Sequence, residues 1–485
     1  MTITASLSNA LSGLTATARA AELVSSNVAN SMTDGYGVRE LELSARSLGR
    51  TGSGVRVDGV NRNVDEHLLS DRRGADAALG YDRTVADFQS TLERAIGIPG
   101  DAGSLSDRQA VLEAALIEAS SRPDSDARLS AVFSASTGLA THLNRVSDTI
   151  QTARMDADRE IGGQVGRLNE GLIKVQNLNR EIQEARARGA DPSSLYDLRQ
   201  RALDDIAPIV PVRQVPRANG AVALFTTGGA VLLEGLAAEI GFSPRGVIVP
   251  EMTQASGALS GLTINGVSVN TSGTRSPFSG GSLDGLLKIR DELATHAQAQ
   301  LDGVARDLVE RFQDPALDAT RAVGAPGLFT DGGTFFDVTD ELGLSSRVSV
   351  TAEINPAAGG ALWRLRDGLG ATAPGDVGRS TLLRDLTAAL TDLRAPVSGG
   401  FVGTARSAAG LAAEFLSSVS AARLNAESDL GYSAAKRDSL KMMELDRGVD
   451  TDHEMQKLML IEQAYAANAR VMSTADELIK ILIGL

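Results

Sequence analysis

The 485-residue sequence contains no cysteine, which excludes disulfides and thiolate chemistry. Its four histidines, His67, His142, His296 and His453, stand far apart, with no HxxxH or HExxH spacing. A zinc site is therefore not expected. Aromatic residues make up 4% of the chain, with a single tryptophan, Trp363. That is little for an enzyme pocket or a sugar-binding platform, and Trp363 is expected in the core of the middle region. No run of eighteen apolar residues occurs, so neither a transmembrane helix nor membrane insertion is expected. The first thirty residues lack a basic stretch leading into a compact apolar block, so a cleaved secretory signal is not expected either. Positive charge is in deficit: 47 Lys and Arg face 61 Asp and Glu, for a net charge of −14. A nucleic-acid partner would need a basic patch, whereas a net negative chain favours solubility and keeps free subunits apart. Walker, GxGxxG and GxSxG motifs are also missing. No catalytic residue, cofactor site or metal ligand is expected, and the chain does not read as an enzyme.

What is present is concentrated at the two ends. Leu458, Tyr465, Met472 and Ile479 fall seven apart, and Ile461, Asn468, Ala475 and Leu482 follow each of them by three. This a/d pattern marks a helix that buries a narrow seam against other helices. The start of the chain carries a matching stripe, Leu7, Leu14, Ala21 and Val28, with Ile3, Leu11 and Ala18 beside it. Such stripes usually belong to an intramolecular core, but from Met1 to Thr33 the charged side chains are Arg19 and Glu22 alone. An outer face that is polar without charge suits helix contacts on several sides better than water. Short of apolar surface, such helices are marginal in isolation. The ends are therefore expected to be disordered in the monomer, with fast amide exchange over a protected trunk, and to fold on association.

After the first helix, Asn30, Asp34, Gly35 and Gly37 are turn and cap formers, and Asp34-Gly35 favours a positive φ. Two short strands are expected at Glu40–Ser44 and Gly54–Val60. Helical patterns follow at 79–96 and 105–120, then a long helix in which Ile161, Leu168, Val175 and Ile182 repeat by seven. Its Arg154, Arg159, Arg167 and Arg180 alternate with Asp156, Asp158, Glu160 and Glu181, which reads as a solvated face. Gly189 and Pro192 end it, and 193–206 adds a short helix. Composition changes at Ala207: short strands are expected at Val210–Val215, Val222–Thr227 and Gly246–Val249. A hairpin is expected around Asn265-Gly266. A helix from Leu283 to Phe312, a Gly- and Pro-punctuated stretch with a strand run at Val348–Ile354, and helices at 380–394 and 404–447 complete the pass. Acidic pairs such as Asp204-Asp205 read as helix-surface charges. Asp450, Asp452, His453 and Glu454 invite a metal reading, but Thr451 with Glu454 three residues on is a capping box for the last helix.

The block Ser26, Asn27, Ala29, Asn30, Thr33, Gly35, Tyr36 and Arg39 resembles the motif near the start of flagellar rod, hook and hook-associated proteins. It departs from that motif at Met32, at Asp34 (usually proline) and at Gly37 (usually serine). The end block looks like the C-terminus of the flagellar hook-associated protein 1 family: Gly448-Val449-Asp450, Gln463-Ala464-Tyr465-Ala466-Ala467, and Arg470-Val471-Met472-Ser473-Thr474-Ala475-Asp476-Glu477. Gly54-Val55-Arg56-Val57, Arg62, Asp65, and Arg122-Pro123 with Arg128 resemble internal signatures of the same family.

The resemblance implies a structural subunit at the junction between hook and filament. It would leave the cell unfolded by type III export and self-assemble into a tubular ring layer lined by its terminal helices. Implied partners are the hook protein, a second junction protein, and a cytoplasmic export chaperone on the C-terminal helix. A rod or hook subunit, a coiled-coil surface adhesin, or an enzyme on a helical trunk stay open as alternatives. The expected architecture is mainly α with a β-rich insertion: a long helical coiled-coil bundle trunk, paired N- and C-terminal helices, and a small inserted β domain. Residues 1–35 form a terminal assembly helix paired with 450–485. The trunk takes 36–206, a helix at 278–313 and 376–449, with a β-rich outer domain at 207–277 and a mixed β and loop region at 314–375. The expected assembly interface consists of Leu7, Leu11, Leu14, Asn27, Asn30, Gly35, Tyr36, Arg39, Leu458, Ile461, Gln463, Tyr465, Arg470, Met472, Ile479 and Leu482.

Overall fold

The apolar core runs from Phe88 to Val419, and among the described residues none of either chain end belongs to it. The computed structural model describes residues 3–48, 51–271, 273, 276–401 and 403–483, so the outermost residues of both terminal segments lie outside the described residues. Helix α1 (Ile3–Ala29) is followed by a long antiparallel hairpin, β1 (Val38–Leu48) and β2 (Thr51–Asn63). Both strands are longer than the alternation predicts. The hairpin packs on α1, so residues 36–63 serve the chain end rather than the helical trunk.

Helix α2 (Glu66–Ile96) starts earlier than its apolar pattern suggests, because the Asp65 side chain accepts from the backbone N–H groups of His67 and Leu68 and caps it. The trunk continues with α3 (Leu105–Ser121), α4 (Asp126–Ala187) and α5 (Ser193–Ile206). With 62 residues, α4 is about 93 Å long at 1.5 Å per residue. Ile161, Leu168, Val175 and Ile182 are all fully buried, as their spacing of seven requires.

The charges beside that stripe divide. Arg159, Arg167, Arg180, Asp156, Glu160 and Glu181 are exposed, whereas Arg154 and Asp158 are buried. Asp158 pairs with Arg290 at 2.7 Å, both side chains being inaccessible. Arg154 donates to the carbonyls of Arg290, Val249 and Met252. The solvated-face reading fails at these two positions because loops from the inserted β region fold back over them, a contact that local spacing does not encode.

The insertion holds a four-stranded antiparallel sheet, β3 (Val212–Pro216), β4 (Val222–Thr226), β5 (Val231–Glu234) and β6 (Leu236–Ala237). A three-stranded one follows, β7 (Ile240–Gly241), β8 (Thr263–Ile264) and β9 (Val267–Ser268). Asn265 and Gly266 take φ of 50° and 80° between β8 and β9, the turn their dipeptide favours. Residues 246–249 are not a strand. Helices α6 (Ser282–Lys288) and α7 (Ala294–Gln313) are joined through a π-helical turn, Ile289–Leu293, which carries buried Arg290. Strand β10 (Phe329–Asp331), helix α8 (Leu344–Arg347), strand β11 (Val348–Val350), and helices α9 (Arg364–Asp367) and α10 (Thr381–Thr391) lead into α11 (Ala408–Asp446) and α12 (Thr451–Ile483). Trp363 is half-buried, with the Arg364 guanidinium 5.7 Å above its ring, rather than central to the core. Asp204 is no free surface charge: Arg72 and Arg73 bind it at 2.5 and 2.7 Å.

His142 is buried on α4, with Nε2 3.1 Å from the Ile96 carbonyl and Nδ1 accepting from Arg145 at 2.6 Å. Burial, then the Arg145 charge, hold its pKa below the usual 6.5. The folded chain thus binds fewer protons here than the unfolded one, and this site's contribution to stability rises with pH up to about 6.5. Melting temperature should fall on acidification below that value, and His142→Gln should shallow the slope. An unchanged slope would mean that the imidazole is not held neutral.

Candidate functional site

The two ends of the chain meet in one element. Helix α1 lies along α12, and the β1–β2 hairpin closes over its other side. The close approach has a local cause at Gly13, where a Cβ would sit 2.7 Å from Asn468 Nδ2 of α12. On the hairpin side the Ser12 hydroxyl accepts from the Val55 N–H at 3.1 Å, beside Gly54 with φ +100°. In this conformation the ends are helical, not disordered: each marginal helix covers part of the other's apolar surface.

The pivot is Asn27, almost fully buried at the end of α1. Its Nδ2 donates to the Arg39 carbonyl at 3.0 Å and to Glu454 Oε2 at 2.9 Å. Its Oδ1 accepts from Tyr36 OH at 2.9 Å and from the Arg39 N–H at 3.1 Å. One side chain thereby joins α1, the turn, β1 and α12. Glu454 is also buried and takes Lys457 at 3.0 Å. It is therefore not the reciprocal partner of a capping box. Asp450 caps α12 instead, its Oδ1 accepting from the Asp452 and His453 N–H groups. Among the described residues no group of three His, Asp or Glu side chains is placed to hold a metal.

A second node fastens this element to the trunk. Asp197 of α5 accepts from Arg39 Nη2 at 2.8 Å, Arg62 Nε at 2.7 Å and the Gly37 N–H at 3.1 Å. Arg62 also reaches Gln200 and the Gly35 carbonyl, and Arg39 covers the Tyr36 ring at 4.8 Å. Gly35 takes φ +76°, as Asp-Gly predicts. At Gly37, where the motif usually has serine, a Cβ would meet Arg62 Nε at 2.5 Å and Val64 Cγ2 at 2.7 Å. Glycine here goes with the tight seating of Arg62. Met32 and Asp34 point outward, Asp34 toward Lys441 at 3.5 Å. Behind them Arg72 ties α2, α5 and α11 through Asp76, Asp204 and Glu444.

The expected interface residues fall into three groups. Asn27, Gly35, Tyr36 and Arg39 form the two nodes, and Asn30 closes the α1 end by donating to the Ser26 carbonyl. Leu7, Leu14, Leu458, Ile461, Met472 and Ile479 are half-buried along the α1–α12 seam, whereas Tyr465 and Leu482 on the same stripe stay 49% and 61% exposed. Leu11, Gln463 and Arg470 face away, Leu11 at 57% exposure. Sequence reading missed a second stripe on α12, namely Leu460, Ala464, Ala467, Val471, Thr474, Leu478 and Ile481, all exposed. It repeats by four and three like the first, each member standing one residue before a member of that stripe and so about 100° around the helix from it. Counting every heptad position instead of the best one finds it. Asp197 left no such signal, because its partners lie more than 130 residues away in sequence.

The described helices include none long and apolar enough to cross a membrane. The family described as "Flagellar hook-associated protein FlgK helical domain" matches residues 90–328. "Flagella basal body rod protein" matches 7–36 and "Flagellar basal body rod FlgEFG protein C-terminal" matches 447–485. Flagellar hook-associated protein 1 of Bacillus subtilis is 24% identical over 515 aligned positions, covering 99% of this chain and 98% of that one. The Salmonella typhimurium protein of the same name is 24% identical over 368, covering 72% of this chain and 63% of its own. The solved flagellar hook junction protein FlgK from Burkholderia pseudomallei overlaps 54% of this chain and 47% of its own, at 19% identity and a TM-score of 0.44.

Proposed function

We propose that this chain, which belongs to the flagellar hook-associated protein 1 family, works through its joined ends as the docking element of an assembly. It is a structural subunit of the bacterial flagellum, an exported component that adapts hook to filament at their junction. The helical-domain match across 90–328 favours this over a rod or hook subunit. The observation that carries the mechanism is the pair of apolar stripes on α12. One is partly covered by α1, while the other, Leu460, Val471, Leu478 and Ile481 with alanines between, is bare. A helix with one seam filled and one open is built to receive another helix, and copies of the same chain in a ring supply it.

The hook protein and a second junction protein are its neighbours above and below in this reading, and a cytoplasmic export chaperone covers the bare stripe before secretion. Load passes from the ring of ends through the Asp197 node into the trunk. No reaction is required of such a subunit, and the chain is no enzyme in this proposal.

Replacing Leu460, Val471, Leu478 and Ile481 together by serine tests it. These side chains touch solvent in the isolated chain, so its melting temperature should change by less than about 2 °C. Incorporation into isolated hook–basal bodies, and swimming in a strain lacking its own copy, should be lost. Incorporation at the normal level would refute the docking role of the stripe.

A further inference from the structure

Between the end of β2, the start of α2, α5 and β3 lies a cavity of about 760 Å³. Five guanidinium groups line it, those of Arg62, Arg73, Arg186, Arg199 and Arg217, against one carboxylate, Glu66. In a chain of net charge −14 this is a local reversal of sign. Three of the five are answered from behind the wall: Arg62 by Asp197, Arg73 by Asp204 and Arg217 by Glu234. Arg199 and Arg186 have no carboxylate partner among the described ion pairs. Arg199 is more than nine-tenths buried and held by neutral groups only, donating to Asn179 Oδ1 at 3.0 Å and the Gly220 carbonyl at 2.7 Å, with the Tyr196 ring 5.1 Å away. Burial, only partly opposed by Tyr196 and the Glu66 carboxylate, pulls its pKa down to about 10.

Gly220 brings the two unanswered groups together. A Cβ there would lie 3.0 Å from Arg186 Nη1 and 2.5 Å from Tyr196 OH, while the Gly220 carbonyl accepts from Arg199 Nη1, so the bare glycine lets Arg186 seat close to the same peptide that holds Arg199. A buried cation with neutral partners is costly, and that cost falls when an anion enters. Planar forks in pairs bind oxyanions bidentately.

We infer that this cavity is a binding site for a small polyvalent oxyanion, held between Arg199 and Arg186 with Arg73 and Arg62 behind. The ligand class includes phosphates and polycarboxylates, since both present several charged oxygens on a compact body. The site involves neither α1 nor α12, but it shares Arg62 with the Asp197 node.

Titrating the full chain with inorganic pyrophosphate and, in a second arm, with citrate separates the two sources, each against sodium chloride at equal ionic strength. At saturation one or both should raise the melting temperature by about 2–5 °C beyond the chloride control. Calorimetry should show one site per chain. Arg199→Gln should weaken binding at least tenfold. Arg186→Gln, at an exposed position that leaves the core untouched, should weaken it in the same direction and serves if the first variant folds poorly. No gain over chloride with either anion, or binding unchanged in Arg186→Gln and Arg199→Gln, overturns the site.

Discussion

Removing residues 458–485 should leave a folded, soluble trunk and abolish assembly altogether. The structural ground is that the apolar core ends at Val419, and α12 buries only Glu454 and Ala475. The cut falls after Glu454 and Lys457, so the Asn27 pivot keeps its α12 partner. Melting of the trunk should therefore stay within about 2 °C of that in the intact chain, since the cut removes no member of the trunk's apolar core. The loss appears in helicity, because α1 loses the helix against which Gly13 brings it. Circular dichroism should fall by more than the 26 described residues removed would account for, and amide exchange over 3–26 should approach that of an unfolded peptide. In a strain lacking its own copy the truncated chain should give no swimming. If it builds a working flagellum, the ends are not the docking element; if the trunk melts with the cut, its independence is wrong.

The second large effect is expected at Asp197. Its side chain is 8% accessible and binds two guanidiniums that are themselves 17% and 10% accessible. Asp197→Ala leaves both without a counter-charge and leaves the Gly37 N–H without its acceptor. Breaking a buried pair from one side costs about 3–5 kcal/mol. Arg39 keeps the Tyr36 face, and Arg62 keeps Gln200 and Gly35, so the lower end of that range is expected. The damage should be local. Amide exchange should rise over residues 30–64 by about two orders of magnitude, while α4 keeps its protection, and assembled layers should lose stiffness where ends meet trunk. Asp197→Asn keeps an oxygen for Gly37 and should fall between the two. Protection of 30–64 unchanged in Asp197→Ala would show that the hairpin, not this node, positions the ends.

Local chemistry made much of this protein legible in its sequence. The fully buried heptads of α4, the half-buried a/d stripe of α12, the positive φ at Gly35 and the Asn265-Gly266 turn all follow from rules that span fewer than about eight residues. Periodicity states which face of a helix is apolar, and that information survives folding because burial of that face drives it. It says nothing of what covers the face.

Tertiary structure alone decided the rest. Glu454 has the spacing of a capping residue, yet turns inward because Asn27, 427 positions away, offers an amide in a buried place. Arg154 and Asp158 have the spacing of surface charges, yet lie inside because the inserted region returns over α4 and supplies carbonyls and Arg290. Whether a polar group faces water or a partner depends on which distant segment arrives beside it. A buried charge is tolerated only when that arrival completes its hydrogen bonds, and the geometry of arrival is a property of the whole packed chain.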